Sequence, residues 1–173
     1  MARALGKGKD LMTPRKPVSK IIPRDDAARL LGRKARGGRT LALANGCFDI
    51  LHAGHIRYFK AAKETADILL VAVNSDISVK KLKGDLRPAV PELERAEVIA
   101  SLGCVDHVVI FGEGTVTELI RDVEPDVQCK GGDYREEDVP EREEVLKHGG
   151  SVKIVGGEKI RSSSDLIGKV TPR

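Results

Sequence analysis

Two histidines three residues apart, His52 and His55, sit where an apolar run gives way to a helical pattern, in the stretch Asn45-Gly46-Cys47-Phe48-Asp49-Ile50-Leu51-His52-Ala53-Gly54-His55. Across a helix start, side chains three apart can face one ligand, and the free N–H groups and partial positive charge there attract anions. Gly46 and Gly54 would let the backbone come close to such a ligand. Four cations follow in Ser78-Val79-Lys80-Lys81-Leu82-Lys83-Gly84-Asp85-Leu86-Arg87-Pro88, read as a loop that could fold over a polyphosphate as an electrostatic clamp. Lys130-Gly131-Gly132-Asp133 offers a turn with one carboxylate suited to a ribose hydroxyl or a base edge, and Arg161-Ser162-Ser163-Ser164-Asp165 offers hydroxyls for phosphate oxygens. The chemistry these residues suit is the capture and transfer of phosphate.

Bland readings stand beside each of these. The histidines could be a structural pair, the lysine run a solvated face, the Gly-Gly segment an ordinary turn, and one serine a helix cap. Zinc would need Cys47 and Asp49 as further ligands, but Cys-x4-His-x2-His is not a standard ligand spacing, so no metal site is assigned. The GxxxxGK[ST] and GxGxxG fingerprints are absent, which excludes a P-loop nucleotidase and an ordinary dinucleotide dehydrogenase.

The elements that must carry these residues alternate in period. Strand-like runs cover residues 40 to 44, 68 to 73, 107 to 111, 127 to 130 and 152 to 155; amphipathic helical stretches cover 54 to 65, 91 to 102, 115 to 123 and 141 to 148, with a final short helix after Ser162. This pattern predicts an α/β fold, a doubly wound parallel five-stranded Rossmann-like sheet in the order 3-2-1-4-5. The topological switch then falls between the first and fourth strands, where the His52 and Lys130 turns would meet in one crevice.

The chain has 173 residues, 40% apolar and 32% charged, the make-up of a single globular domain. Residues 1 to 39 carry 12 Lys and Arg against 3 Asp and Glu, whereas the rest carry 18 against 23. Residues 1 to 24 read as a basic flexible arm and 25 to 173 as the domain, opened by a short helix over 25 to 36 that Gly37-Gly38 ends. The arm interleaves no aromatics for base stacking, so no nucleic-acid partner is expected. Without an apolar run of membrane-spanning length or a secretory signal, a cytoplasmic protein with no membrane partner is expected. Cys47, Cys104 and Cys129 form no CxxC pair and read as reduced thiols, the latter two in the core.

Taken together, these motifs resemble the HxGH nucleotidyltransferase superfamily and, within it, the bacterial D-glycero-D-manno-heptose 1-phosphate adenylyltransferases. The likeness covers residues 33 to 170 and includes Asn74-Ser75-Asp76, Arg87-Pro88, Arg95-Ala96, Val105-Asp106 and Lys130-Gly131-Gly132-Asp133-Tyr134. It implies ATP and a sugar 1-phosphate as partners, Mg2+ bound with the ATP phosphates, and a homodimer or higher homo-oligomer. By the same resemblance His52, His55 and Lys83 are the catalytic set. Gly46, Cys47, Phe48, Asp49, Gly54, Asn74, Gly131, Gly132 and Asp133 bind nucleotide, with Ser162, Ser163 and Ser164 at the terminal phosphates, and Lys80, Lys81, Arg87 and Lys130 bind substrate. The chain departs from the pattern at Ala44, at Val116, at Gln128-Cys129, and at Ser162 to Ser164. A cytidylyltransferase for glycerol phosphate or a related polyol phosphate, an FMN adenylyltransferase, and a nucleotide-binding module without chemistry remain open as alternatives.

Overall fold

Strands buried on both faces need apolar residues at nearly every position, and two segments here have them: Leu41–Gly46 (β2), which ends in Asn45 and Gly46, and Ile68–Asn74 (β3), buried throughout. In a computed structural model that describes residues 17 to 157, these two strands form the centre of a parallel sheet. It also contains Ile21–Ile22 (β1), His107–Phe111 (β4), Val127–Lys130 (β5) and Ser151–Ile154 (β6), in the order β1-β4-β3-β2-β5-β6. The five strands expected from the sequence keep their expected order, and the correction is a sixth, two-residue strand at the edge, paired with β4 through Ile21↔Val108 and Ile22↔Val109.

Alternate residues of each strand feed opposite layers, because side chains in a strand point to opposite faces. Leu41, Leu43, Leu70 and Val109 pack with helices Ala27–Leu31 (α1), Thr117–Val123 (α5) and Arg142–Lys147 (α6) through Leu31, Leu119, Ile120 and Val145. Ala42, Ala44, Leu69 and Val71 pack with Ala53–Lys63 (α2) and Glu92–Ala100 (α4) through Phe59, Ala62, Ala96 and Ile99. The result is the doubly wound arrangement, with helices on both faces.

Three sequence expectations need correction. Residues 17 to 24, expected to close the arm, pack on the sheet: Lys20 Nζ donates to the Leu102 and Val105 carbonyls at 3.0 and 2.8 Å, and Arg24 pairs with Glu113 and Asp122. The leading helix ends at Leu31 rather than at residue 36, because Gly32 leaves helical backbone angles at a place where a Cβ would lie 2.4 Å from the Ala28 carbonyl oxygen. The lysine stretch is a helix, Asp76–Lys83 (α3), rather than a loop. Ser75 caps it by accepting from the Ser78 N–H at 3.2 Å, Ser78 and Val79 are buried beneath it, and Gly84 ends it at φ 96°.

The amino ends of the strands are held by acidic side chains. Asp126 accepts from the Leu41 N–H at 2.7 Å and pairs with the buried Arg36, Asp106 accepts from the Leu69 N–H and from Lys63, and Asp67 accepts from the Thr40 N–H and hydroxyl. Among the described residues no helix is long and apolar enough to cross a membrane.

Candidate active site

At its carboxyl end β2 turns through Cys47, Phe48 and Asp49 toward α2. Phe48 adopts φ 47°, a strained conformation for a bulky residue, and its ring is buried against Tyr58 and Phe59 and meets the His55 ring in a T-shaped contact with 5.4 Å between ring centres. A Cβ on Gly46 would lie 3.0 Å from that ring. Asp49, 2% exposed, pairs with Arg87 at 2.6 Å and accepts from the Ala89 and Val90 N–H groups at 2.8 and 3.1 Å. It therefore ties the segment after α3 to the turn. Arg95 of α4, also 2% exposed, donates to the Cys47 and Val90 carbonyls and to Asp76 at the start of α3.

The histidines cap α2 reciprocally. His52 Nδ1 accepts from the Gly54 N–H at 3.1 Å, while His55 Nδ1 accepts from the His52 N–H at 3.4 Å. An imidazole that accepts at Nδ1 carries its proton on Nε2, so the cap fixes one tautomer in both rings and gives each an Nε2–H donor. The rings stack at 4.0 Å with 28° between their planes. A Cβ on Gly54 would lie 2.9 Å from the His52 ring, so glycine is required there for the ring to fold over the helix start. Gly46 and Gly54, expected to admit a ligand, thus make room first for the protein's own rings. The His55 pKa is lowered to about 4, first by burial and then by His52 and Lys83, with Asp133 opposing. At neutral pH His55 is an uncharged donor in a site whose surroundings favour an incoming anion.

These groups open on a cavity of about 590 Å³ at the carboxyl ends of β2 and β5, the switch point of the sheet. Of the residues singled out from the sequence, Gly46, Cys47, Phe48, Asp49, His52, Gly54, His55, Asn74, Lys83, Lys130, Gly131, Gly132 and Asp133 line it. Lys80 and Lys81 do not; they are exposed on α3 outside the wall, because only the last turn of that helix, Leu82 and Lys83, overhangs the opening. Arg87 does not line it either, being engaged by Asp49 behind the wall. Ser162, Ser163 and Ser164 lie outside the described residues.

Lys130 lines the cavity but is held by the protein. Its ammonium lies 3.2 Å from Glu141 and 5.2 Å from the centre of the Tyr134 ring, and both Lys130 and Glu141 are more than nine-tenths buried. Gln128 beneath them donates weakly, at 3.4 Å, to Glu141 and to Asn45. Sequence reasoning missed Glu141 and met Arg95 only within a motif, without a role, since an acid or an arginine in an amphipathic helical stretch reads as surface. It also missed Tyr58, whose hydroxyl donates to the Cys129 carbonyl at 2.7 Å and helps fasten α2 to β5.

A doubly wound sheet with paired imidazoles and a lysine at its switch point is suited to hold the phosphates of a nucleotide. More particularly, the family model described as cytidylyltransferase-like matches residues 43–166, and the chain belongs to that family. The chain is similar to the bifunctional protein HldE of Pelobacter propionicus, 44% identical over 155 residues, 90% of this chain and 32% of that protein. It is 46% identical to the HldE of Koribacter versatilis over 151 residues, 87% of this chain and 31% of that one. The chain thus spans about a third of the length of these curated relatives. Among solved structures, a lipopolysaccharide core biosynthesis protein from Thermoplasma volcanium superposes with a TM-score of 0.58 at 35% identity, covering 68% of this chain and 95% of that one. Pantoate-β-alanine ligase from Francisella tularensis, at 15% identity and TM-score 0.58 over 83% of this chain and 68% of its own, shares the fold.

Proposed function

We propose that the chain joins ATP and D-glycero-D-manno-heptose 1-phosphate, giving ADP-heptose and pyrophosphate. The observation that carries this reading is the reciprocal histidine cap, which gives both imidazoles an Nε2–H donor on a cavity that Lys83 overhangs. The sugar phosphate attacks the α-phosphorus of ATP in line. It is already anionic at neutral pH, so no general base is needed; the site must instead hold two repelling anions together and stabilise charge on the pentavalent phosphorus and the departing pyrophosphate. Fixed donors and one cation do this without reorganising. His55, neutral down to about pH 4, donates without competing for the proton.

Among the described residues no three metal-ligating side chains converge. Asp133, on the cavity wall, is the carboxylate that would meet Mg2+, and the ion would neutralise phosphate charge when bound. The sugar assignment rests on the motifs quoted above and is supported by the likeness to a lipopolysaccharide core biosynthesis protein. The cytidylyltransferase-like description of the family makes CTP the second candidate nucleotide.

The test is pyrophosphate release from ATP, CTP, GTP and UTP in parallel, each with heptose 1-phosphate and with glycerol 3-phosphate. ATP with heptose 1-phosphate is expected to give the highest rate. A preference for CTP with glycerol 3-phosphate, or no release with any pair, would overturn the assignment.

A further inference from the structure

Three carboxylates line the cavity, and two have evident places. Asp49 is consumed by Arg87 and the Ala89 and Val90 N–H groups. Asp133 is exposed and acts on His55, which puts it on the imidazole side of the wall. Glu141 is neither exposed nor used by the transfer chemistry.

We propose that Glu141 reads the nucleobase, its Oε1 accepting a hydrogen bond from the exocyclic amino group of an adenine seated beside Tyr134. The proposal rests on the ATP reading given above and names the group that selects the base.

Both contacts of this carboxylate fall on Oε2, from Lys130 at 3.2 Å and Gln128 at 3.4 Å. Among the described residues no hydrogen bond reaches Oε1, and Glu141 lines the cavity. Its open side is therefore the cavity itself. Tyr134, Pro140 and Val155 line the same cavity; the Tyr134 ring lies 5.2 Å from the Lys130 ammonium, and the Val155 N–H donates to the Lys130 carbonyl at 2.9 Å. Tyr134 has its hydroxyl pKa raised by burial first, then by Asp133 and Glu141, which places it near both acids.

An aromatic ring, two apolar side chains and one fixed carboxylate on a shared cavity suit a planar heterocycle with an amino group at its edge. They do not suit a phosphate, which the carboxylate would repel. A buried ion pair such as Lys130–Glu141 adds little stability over an apolar pair of the same size, so a ligand explains its position on the wall better than packing does.

The experiment measures binding of ATP and of purine riboside 5′-triphosphate, which lacks only the exocyclic amino group, to three forms of the full chain. These are the unaltered protein, Glu141→Gln, and Glu141→Leu combined with Lys130→Met, which removes both buried charges together so that neither is left unpaired. The unaltered chain is expected to bind ATP about tenfold to a hundredfold tighter than the purine analogue, the range for a hydrogen bond to a charged group. The double variant should bring that ratio near one, and Glu141→Gln, which keeps an amide oxygen, should fall between. The same ratio in all three forms, or no preference in the unaltered chain, would overturn the proposal. So would a variant that keeps its ATP preference and loses affinity for the sugar phosphate, since Glu141 would then be meeting a sugar hydroxyl. A chain that shows the expected ratio but releases no pyrophosphate would sink the transfer reading and uphold this one.

Discussion

The two ends of the sheet use charged and polar residues in opposite ways. At the amino end Asp126, Asp106 and Asp67 each accept from a backbone N–H in or next to a strand and from a neighbouring donor, and Arg36 is buried among the Leu31 and Val123 carbonyls and Asp126. At the carboxyl end the polar groups surround a cavity: two stacked imidazoles, a lysine with no ion-pair partner among the described residues, a strained Phe48, and a carboxylate engaged, among those residues, on one oxygen. Satisfied networks stabilise a fold, whereas polar groups lining a cavity are placed for a ligand. Altering the first end should therefore cost stability, and altering the second should cost activity.

The largest effect on activity is expected from His55→Ala and His52→Ala, each lowering turnover by ~10² to 10³, as removal of one positioned donor does. Thermal melting checks the contrast, since loss of the cap should cost only about 1 kcal/mol. At the other end, Asp126→Ala leaves the buried Arg36 and the Leu41 N–H without their partner. It should destabilise the fold by about 3 kcal/mol or more, visible in urea titration, while the folded fraction keeps its kcat/KM. Turnover lost in proportion to His55→Ala, without a shift in the urea midpoint, would erase the distinction between the two ends.

Gly54→Ala sharpens the comparison from within the site. The new methyl group would press on the His52 ring at 2.9 Å while leaving a good helix former in place. Turnover is expected to fall by up to ~10², the cost of a displacement near 1 Å, with melting unchanged or raised. Lys83→Ala should reduce kcat/KM by roughly tenfold or more through weaker triphosphate capture, again without loss of stability. Kinetics equal to the parent would make Lys83 a solvated residue like Lys80 and Lys81.

The smallest effect is in pH. His55 has its folded pKa lowered from 6.5 to about 4, so between those values the unfolded chain binds the proton and the folded chain does not. Its contribution to stability is complete above pH 6.5 and is lost as pH falls toward 4. Melting temperatures of the ligand-free protein should show that decline, and His55→Asn should show less of it. An identical decline in both would assign it to other groups.

The strand order and the crevice were legible because β2 and β3 are apolar at nearly every position and glycine-bearing turns follow β2 and β5. The edge strand β1 was not, since two isoleucines before a proline carry no period of their own and acquire their role only by pairing with β4. The lysine stretch misled because its polarity resembles a loop, whereas a Ser75 cap and two buried residues suffice to make it helical. Within the site, residue types announced His52 and His55 but not what fixes them. That Phe48 stands perpendicular to His55 and that Gly54 yields to the His52 ring are details of one turn's geometry, and that Arg95 and Glu141 turn inward depends on packing between elements far apart in sequence.

The central claim is that a triphosphate lies on two imidazoles that both carry their protons on Nε2. Two-bond 1H–15N correlation spectra of the histidine rings, recorded at pH 7.5 without and with MgATP, test it most directly. The account expects Nε2–H tautomers for His52 and His55 in the free chain and displacement of both Nε2 resonances on addition of MgATP. Protons found on Nδ1, or Nε2 resonances that stay in place at saturating MgATP, would contradict it.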